Sequence, residues 1–385
     1  MAKLNFVQQY IKDHDAAPKE RKHIVLLDGT WNDETGEQGN GRVTNVVNLS
    51  RIFRRDHDKQ IVRYHRGVGN DNDNSLLGKL WKGADGKAVH AIVDRAYARF
   101  IQEWQNGDRI YIFGFSRGSA AARILASKIH KEGIPASVKI TLKPKVNKET
   151  NVIEQRIDAV EYDRSKEKKV RIEFVGVWDT VSSFGAPNNF LRMLGFREKD
   201  MFTDQHIAEN INRAVHLLAM DETRNEFVPS LMNHKENVTH EVWFPGVHSD
   251  VGGSYLRNEI GQITLHYMFK KLTAWHTENQ IEEFLIDQEA YDKYVSESVE
   301  VVHLHLQGLN WKSSVREIKT QSDGKKSSKK PLIHQIYHEI SSKRNTYSVR
   351  EKKKKVNGVR VDQVTNFQYM PFNVKVLRGD YEVVS

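Results

Sequence analysis

Short, nearly continuous apolar runs alternate with segments of helical spacing over roughly the first two thirds of the chain. Ile24–Leu27 is the first such run and ends in Asp28-Gly29-Thr30, which reads as a buried strand passing into a tight loop. Ile61–His65 is a second, followed by a Gly/Asn/Asp-rich loop over Gly67–Ser75 and an apolar patch at Leu76, Leu77, Leu80 and Trp81. Ala88–Gln105 sets Ile92, Ala96, Phe100 and Trp104 on one helical face. Arg109–Phe113 predicts a strand, and an alanine-rich helix follows from Ser119 to about His130. Ile172–Trp178 is the next strand, Ala208–Met220 reads as a helix, and Glu241–Phe244 as a further strand. Unbroken apolar strands separated by helices predict an α/β fold with a mainly parallel central sheet covered on both faces.

Between the alanine-rich helix and Ile172, the segment Pro135–Lys169 is lysine-rich and alternates polar with β-branched residues, which predicts a basic β-hairpin insertion. After about residue 295 the pattern weakens. Val299–Leu306 alternates like a strand, and Leu332–Ile340 reads as a short helix between lysine-rich loops. The expected organisation is an N-terminal segment (1–20), one α/β domain (21–295, insertion about 135–170) and a C-terminal extension (296–385) packed on or continuing that domain.

With 385 residues, 38% of them hydrophobic, the chain is long enough to bury one large core. Its net charge of +9 gathers in the runs Lys166–Arg171, Lys325–Lys330 and Arg350–Lys355. Such runs are most often solvated loops; their functional reading is attraction to an anionic membrane surface. They lack interleaved aromatics that would stack bases, so no specific nucleic acid is expected. Zero cysteines exclude disulfides and thiolate metal sites. Residues 1–21 carry no signal-peptide core and no run reaches transmembrane length, so the expectation is a cytoplasmic protein, with delivery by a secretion machine or action at a membrane surface left open.

The strongest chemical signal is Gly114-Phe115-Ser116-Arg117-Gly118, lying between a strand and a helix. A nucleophile on a sharp strand-to-helix turn needs small neighbours on both sides, and the helix N-terminus favours developing negative charge. A glycine-flanked serine capping an ordinary helix is the plain alternative. A serine needs a histidine to take its proton and an acid to orient that histidine, in the order serine, acid, histidine. Asp179 ends the Ile172 strand, and His248 lies in the loop Pro245-Gly246-Val247-His248-Ser249-Asp250-Val251-Gly252-Gly253 after another strand. Among 17 histidines, that post-strand position singles out His248, whereas His216 reads as structural. Asp250 and Asp221 compete for the acid's role. Asp250 is too near His248 in sequence and suits capping of the following turn, while Asp221 reads as a helical residue paired with Arg224. The oxyanion hole falls to the backbone of Arg117, with Gly29 or Thr30 as second donor. Asp28 and Asp250 support these loops.

These motifs, with Leu27-Asp28-Gly29-Thr30-Trp31-Asn32, Gly67-Val68-Gly69, Val177-Trp178-Asp179-Thr180-Val181 and Ala219-Met220-Asp221-Glu222-Thr223-Arg224 plus Phe227, together resemble the bacterial and fungal α/β-hydrolase domain family that includes type VI secretion phospholipase effectors. The resemblance spans about residues 21–275. It implies an α/β-hydrolase-like fold, a triad of Ser116, Asp179 and His248, no cofactor, and hydrolysis of phospholipid or other esters through an acyl-enzyme. The missing export signals fit a self-directed toxic effector, held by an inhibitory or activating protein partner, as well as they fit an antibacterial effector delivered by type VI secretion. Phe184–Phe202 and Leu76–Trp81 are candidate walls or covers for an acyl chain. Two alternatives stand beside this reading: a metal-dependent phosphoesterase using Asp28, Asp179, His248 and Asp250, and a non-catalytic binding protein on the same fold.

Overall fold

The computed structural model describes residues 6–29, 43–67, 87–146, 153–181, 207–224, 227–255, 257–295, 301–303, 316–322, 325–342, 347–356, 359–366 and 372–385. Its strands are β1 (Phe6–Ile11), β2 (Lys22–Leu27), β3 (Gln60–His65), β4 (Arg109–Phe115), β5 (Ser137–Val146), β6 (Ile153–Asp163), β7 (Ile172–Trp178), β8 (Ile211–Ala219) and β9 (Thr239–Phe244). The remainder are β10 (Val301–His303), β11 (Gln321–Ser322), β12 (Lys325–Lys326), β13 (Leu332–His334), β14 (Tyr347–Val356), β15 (Val359–Asn366) and β16 (Glu382–Val384). Eight of them form one sheet in the order β16-β13-β9-β8-β7-β4-β2-β3, and every pairing within it is parallel.

Parallel neighbours need crossovers, and the helices that supply them cover both faces. α1 (Asn45–Ile52) joins β2 to β3, α2 (Lys87–Glu103) lies between β3 and β4, and α3 (Arg117–Glu132) follows β4. The short α4 (His248–Val251) and the long α5 (Glu259–Glu278) follow β9. One core cluster packs α1 and α5 on one side of the sheet through Phe53, Phe113, Phe174, Tyr267 and Phe269. The other packs α2 and α3 on the opposite side through Val93, Tyr97, Phe100, Leu125 and Ile129. This is the doubly covered parallel sheet that the apolar strand runs predict, and the α/β-hydrolase-like fold that the family resemblance implies. It places the carboxyl ends of β2, β4, β7, β8 and β9 along one edge, where such sheets carry their functional groups.

The insertion is a hairpin: β5 and β6 pair antiparallel, and β1 adds itself to β5 as a third strand. The segment Ala208–Met220 is corrected from helix to strand. Its Val215, Leu217, Leu218 and Ala219 are fully buried between β7 and β9. A continuous apolar run has no period to tell a central strand from a buried helix, and the neighbouring strands decide. Leu332–Ile340 is corrected in part: it opens as β13, paired with β9, and turns helical only from Ile336. With β13 and β16 the C-terminal portion extends the central sheet.

Two of the basic runs have local partners. Lys166 pairs with Asp15, Lys326 with Glu317 and Lys330 with Asp380. Arg350–Lys355 lies within β14. Among the described residues, no helix is long and apolar enough to cross a membrane. The patch Leu76–Trp81 and the segment Phe184–Phe202 lie outside the described residues.

Phe113 is fully buried at the centre of β4, in ring contact with Phe53 and Phe174. Phe113→Ala removes that packing and leaves a cavity, so unfolding free energy should drop by about 3–5 kcal/mol. A urea midpoint unchanged from wild type would show that this cluster carries no such load.

Candidate active site

The turn after β4 carries Ser116 at φ 59° and ψ −123°, a backbone conformation that L-residues adopt only under constraint. Three bonds impose it. The Ser116 amide donates to the Trp178 carbonyl at 3.0 Å, and the Ser119 hydroxyl bonds the carbonyls of Gly114 (2.7 Å) and Trp178 (2.8 Å). A side chain on Gly114 would strike the Gly118 backbone, and one on Gly118 would strike the carbonyl of Leu27. The two glycines therefore let the elbow close on itself and on the end of β2. Arg117 and Gly118 open α3, where backbone N–H groups have no intrahelical acceptor.

Asp179 follows β7 directly, also at positive φ (39°), and is fully buried. His248 donates from Nδ1 to its Oδ2 at 2.6 Å. The Ala219 amide, at the end of β8, donates to Oδ1 at 3.0 Å. Arg316 approaches as a fork, Nη1 to Oδ1 at 2.7 Å and Nη2 to Oδ2 at 3.0 Å. The same guanidinium donates to the carbonyls of Ala219 (2.6 Å) and Phe227. Burial alone would raise the Asp179 pKa, but the Arg316 charge and the bond from His248 outweigh it and hold the carboxyl well below its usual range.

The His248 imidazole lies between two rings. Phe115 stacks on it at 4.6 Å between centroids, and Phe227 meets it edge-on at 4.8 Å. Its backbone N–H donates to Glu222 at 3.2 Å, and Glu222 is in turn held by Arg224 through Nε (2.8 Å) and Nη2 (2.7 Å). Arg224 lies over the Phe227 ring at 3.7 Å. Burial lowers the His248 pKa, and the Asp179 bond only partly offsets this. With Nδ1 bonded to a carboxylate, the imidazole is set to present Nε2 as a proton acceptor.

The structure thus joins Asp179 to His248 directly. It does not hydrogen-bond the Ser116 hydroxyl to His248, yet Phe115, one residue before the serine, is stacked on the imidazole. Asp28 sits beside the elbow, accepting from Gly29 N (2.6 Å), Thr44 Oγ1 (2.9 Å) and Tyr64 OH (2.7 Å). The Gly29 N–H is thereby turned toward Asp28 and away from an oxyanion role, and Thr30 lies outside the described residues.

Asp250 accepts from the Val247 amide at 2.9 Å, so it caps the start of its own turn rather than the turn that follows. Asp221 follows a strand, not a helix, and bonds the Gly246 amide at 2.6 Å; Arg224 pairs with Glu222 instead. His216 is structural as expected: it accepts from the Thr180 amide at 3.0 Å and bonds Glu241 at 2.7 Å. The metal alternative loses its ligand set, because Arg316 occupies the Asp179 oxygens. No three His, Asp or Glu side chains among the described residues are grouped to hold an ion. Sequence reasoning missed Arg316 and Ser119. A serine just past the elbow is a legible signal, whereas Arg316 stands in no motif.

Residues 21–271 match the family described as "T6SS, Phospholipase effector Tle1-like, catalytic domain". An uncharacterized protein of Saccharomyces cerevisiae is 26% identical over 231 residues, which cover 54% of this chain and 32% of that protein. A crystal structure of an uncharacterized Pseudomonas aeruginosa protein is similar at 18% identity and a TM-score of 0.40, covering 71% of this chain and 50% of that one. The Tle1 effector bound to the VgrG spike of the type 6 secretion system is similar at 21% identity and a TM-score of 0.38, covering 62% and 52%. The chain therefore spans about a third of the yeast relative and about half of these two structures.

Acidification probes the buried pair. His248 is held below its ordinary value of 6.5, so the unfolded chain takes up that proton first, and stability is lost as pH falls below about 6.5. Asp179, held below 3.8, adds a further loss only in that lower range. Between about pH 7 and pH 5, urea midpoints should fall less for His248→Gln than for wild type. Parallel declines in the two proteins would mean that His248 titrates like an exposed histidine.

Proposed function

The chain belongs to the family of Tle1-like type VI secretion phospholipase effector catalytic domains, and on that premise we propose that it is a serine hydrolase of carboxylic esters in membrane phospholipids. The observation that carries this reading is the 2.6 Å bond from His248 Nδ1 to Asp179, made beside a strained serine elbow whose Phe115 packs on the same imidazole.

The chemistry follows from that arrangement. On substrate binding, rotation of the Ser116 hydroxyl brings it to Nε2 of His248; such bonds are commonly loose before substrate arrives. His248 takes the hydroxyl proton as Ser116 Oγ attacks the ester carbonyl, forming a tetrahedral oxyanion. The Arg117 backbone N–H, at the open start of α3, is one donor to that oxygen, and Thr30 is the remaining candidate for the second. Collapse breaks the bond to the leaving alcohol, which receives the proton from His248. Water, deprotonated by the same imidazole, then releases the acid from Ser116. Asp179 holds the tautomer and stabilises the imidazolium that forms twice per cycle.

No cofactor enters this scheme. The net charge of +9 favours anionic bilayers as the surface where substrate is met. Hydrolysis of bilayer lipids makes the chain an antibacterial or self-directed toxin, restrained by a protein partner.

Ser116→Ala should keep the wild-type urea midpoint and lose at least about 10⁴-fold in turnover of a soluble short-chain ester. Asp179→Asn should lose about 10⁴-fold through the wrong histidine tautomer. An organophosphonate should label wild type at Ser116 and spare the alanine variant, while chelators leave turnover unchanged. Hydrolysis that survives in Ser116→Ala, or that chelators abolish, overturns the serine reading. Wild-type turnover in Asp179→Asn with a dead Asp250→Asn would move the acid's role to Asp250.

A further inference from the structure

Arg316 lies beyond residue 271, where the family match ends, and yet it makes more bonds at the Asp179 carboxylate than any other residue. Its guanidinium is buried and placed by acceptors on three separate pieces of chain. Nη1 is shared between Asp179 and the Ala219 carbonyl at the end of β8, and Nη2 between Asp179 and the Phe227 carbonyl. Four N–H···O bonds thus fix one plane, and a bidentate fork fixes the carboxylate plane with it.

The segment that carries Arg316 is itself held. Ile318 is buried with Leu218, Met220, Leu231 and Trp243. The Trp243 indole donates to the Lys319 carbonyl at 3.4 Å. Gln321 bonds the Asn233 side chain at 3.0 Å, and its carbonyl accepts from His234 N at 2.7 Å. The strap therefore docks on β8, β9 and the loop between them, and presents one side chain to the site.

We propose that Arg316 is a positioning residue for hydrolysis, supplied by the C-terminal portion of the chain, which locks the Asp179 carboxylate in the plane that receives His248 Nδ1. The inference rests on the triad reading above.

A fork on Asp179 does two separable things. Its geometry keeps Oδ2 aimed at the imidazole, so its loss lowers turnover. Its charge shares the carboxylate with His248, so its loss leaves more negative charge facing the imidazole and makes His248 easier to protonate. The other charged groups around the pair stay constant: Glu222 and Arg224 beside the His248 backbone, and the His216–Glu241 pair behind Thr180. A buried arginine that serves only to hold the fold would change stability and yield, but would leave the pH dependence of the surviving enzyme alone.

Full-length Arg316→Gln and Arg316→Lys should be compared with wild type and Ser116→Ala, using a soluble p-nitrophenyl ester across pH, with urea midpoints measured alongside. Arg316→Gln should lose about a hundredfold in kcat, the scale on which misplaced catalytic groups act, with KM little changed. Its acid limb in kcat/KM should move up by about one pH unit. Arg316→Lys keeps the cation but not the fork: the acid limb should stay near wild type while kcat falls about tenfold. Wild-type kcat in either variant overturns the proposal, and so does a loss in Arg316→Gln that leaves the acid limb in place. If Arg316→Gln does not fold, Arg316→Lys decides through kcat alone. Hydrolysis persisting in Ser116→Ala sinks the triad reading itself, whereas a dead Ser116→Ala beside an unaffected Arg316→Gln sinks only the role given to Arg316.

Discussion

A fully buried carboxylate dictates the architecture around the candidate site. An unpaired charge at the depth of Asp179 would cost several kcal/mol, and the structure removes that cost with donors from three places distant in sequence. His248 comes from the turn after β9, the Ala219 amide from the end of β8, and Arg316 from the C-terminal strap. Because all three donors answer one carboxylate, His248 at Oδ2, Ala219 at Oδ1 and Arg316 at both, none can move without uncovering charge for the others. The left-handed backbone of Asp179 survives for the same reason: surroundings that specify a residue several times over can hold it in a sparsely populated conformation.

The parallel sheet is what makes such convergence inexpensive in backbone distortion. β4, β7, β8 and β9 are consecutive in the sheet, so the residues that follow them emerge side by side without any strand bending to reach the site. The elbow is then fastened to the neighbouring strand end as well as to its own helix, whose Ser119 and Ala120 amides donate to the Ser116 carbonyl. Ser116 and Ser119 both bond the Trp178 carbonyl, one peptide before Asp179. Phe115 closes the remaining gap by stacking on the imidazole across the width of β7 and β8.

Much of this was legible in the residues, and the failures have physical causes. Strands such as β2, β4 and β7 are apolar runs bounded by glycine or charge, and the elbow glycines announce a close approach that the structure realises against Leu27. The Asp179–His248 pairing follows from two strand-end positions. The sequence of β8 reads as a helix because a strand buried on both faces has lost the alternation that marks a half-exposed one, and a run such as Leu217-Leu218-Ala219 suits either state. The reading of Asp221 as helical fell with it. Gly29 was a plausible oxyanion donor by position, but position does not say that Asp28, one residue away, takes its N–H. Arg316 could not be found from local pattern at all, since a single arginine in a polar stretch carries no period and no motif. Only the docking of Ile318 and Gln321 against β8, β9 and the loop between them brings it to the site.

Two pressures of opposite sign meet on His248, and their balance bears on what the site can do. Enclosure between Phe115 and Phe227 withdraws water from the ring and disfavours the imidazolium. Asp179 favours it, but an aspartate that also satisfies a guanidinium has less negative potential to offer than one facing histidine alone. The net result is an imidazole held neutral, and therefore able to act as a base, at pH values where an exposed histidine would already be charged. In the proposed reaction cycle the same balance makes the imidazolium harder to reach, so on that reading precise aim of the carboxylate compensates for its diminished charge. A site built this way trades strength of the proton acceptor for a wider pH range in which the acceptor is available, and it can do so only while the carboxylate cannot turn.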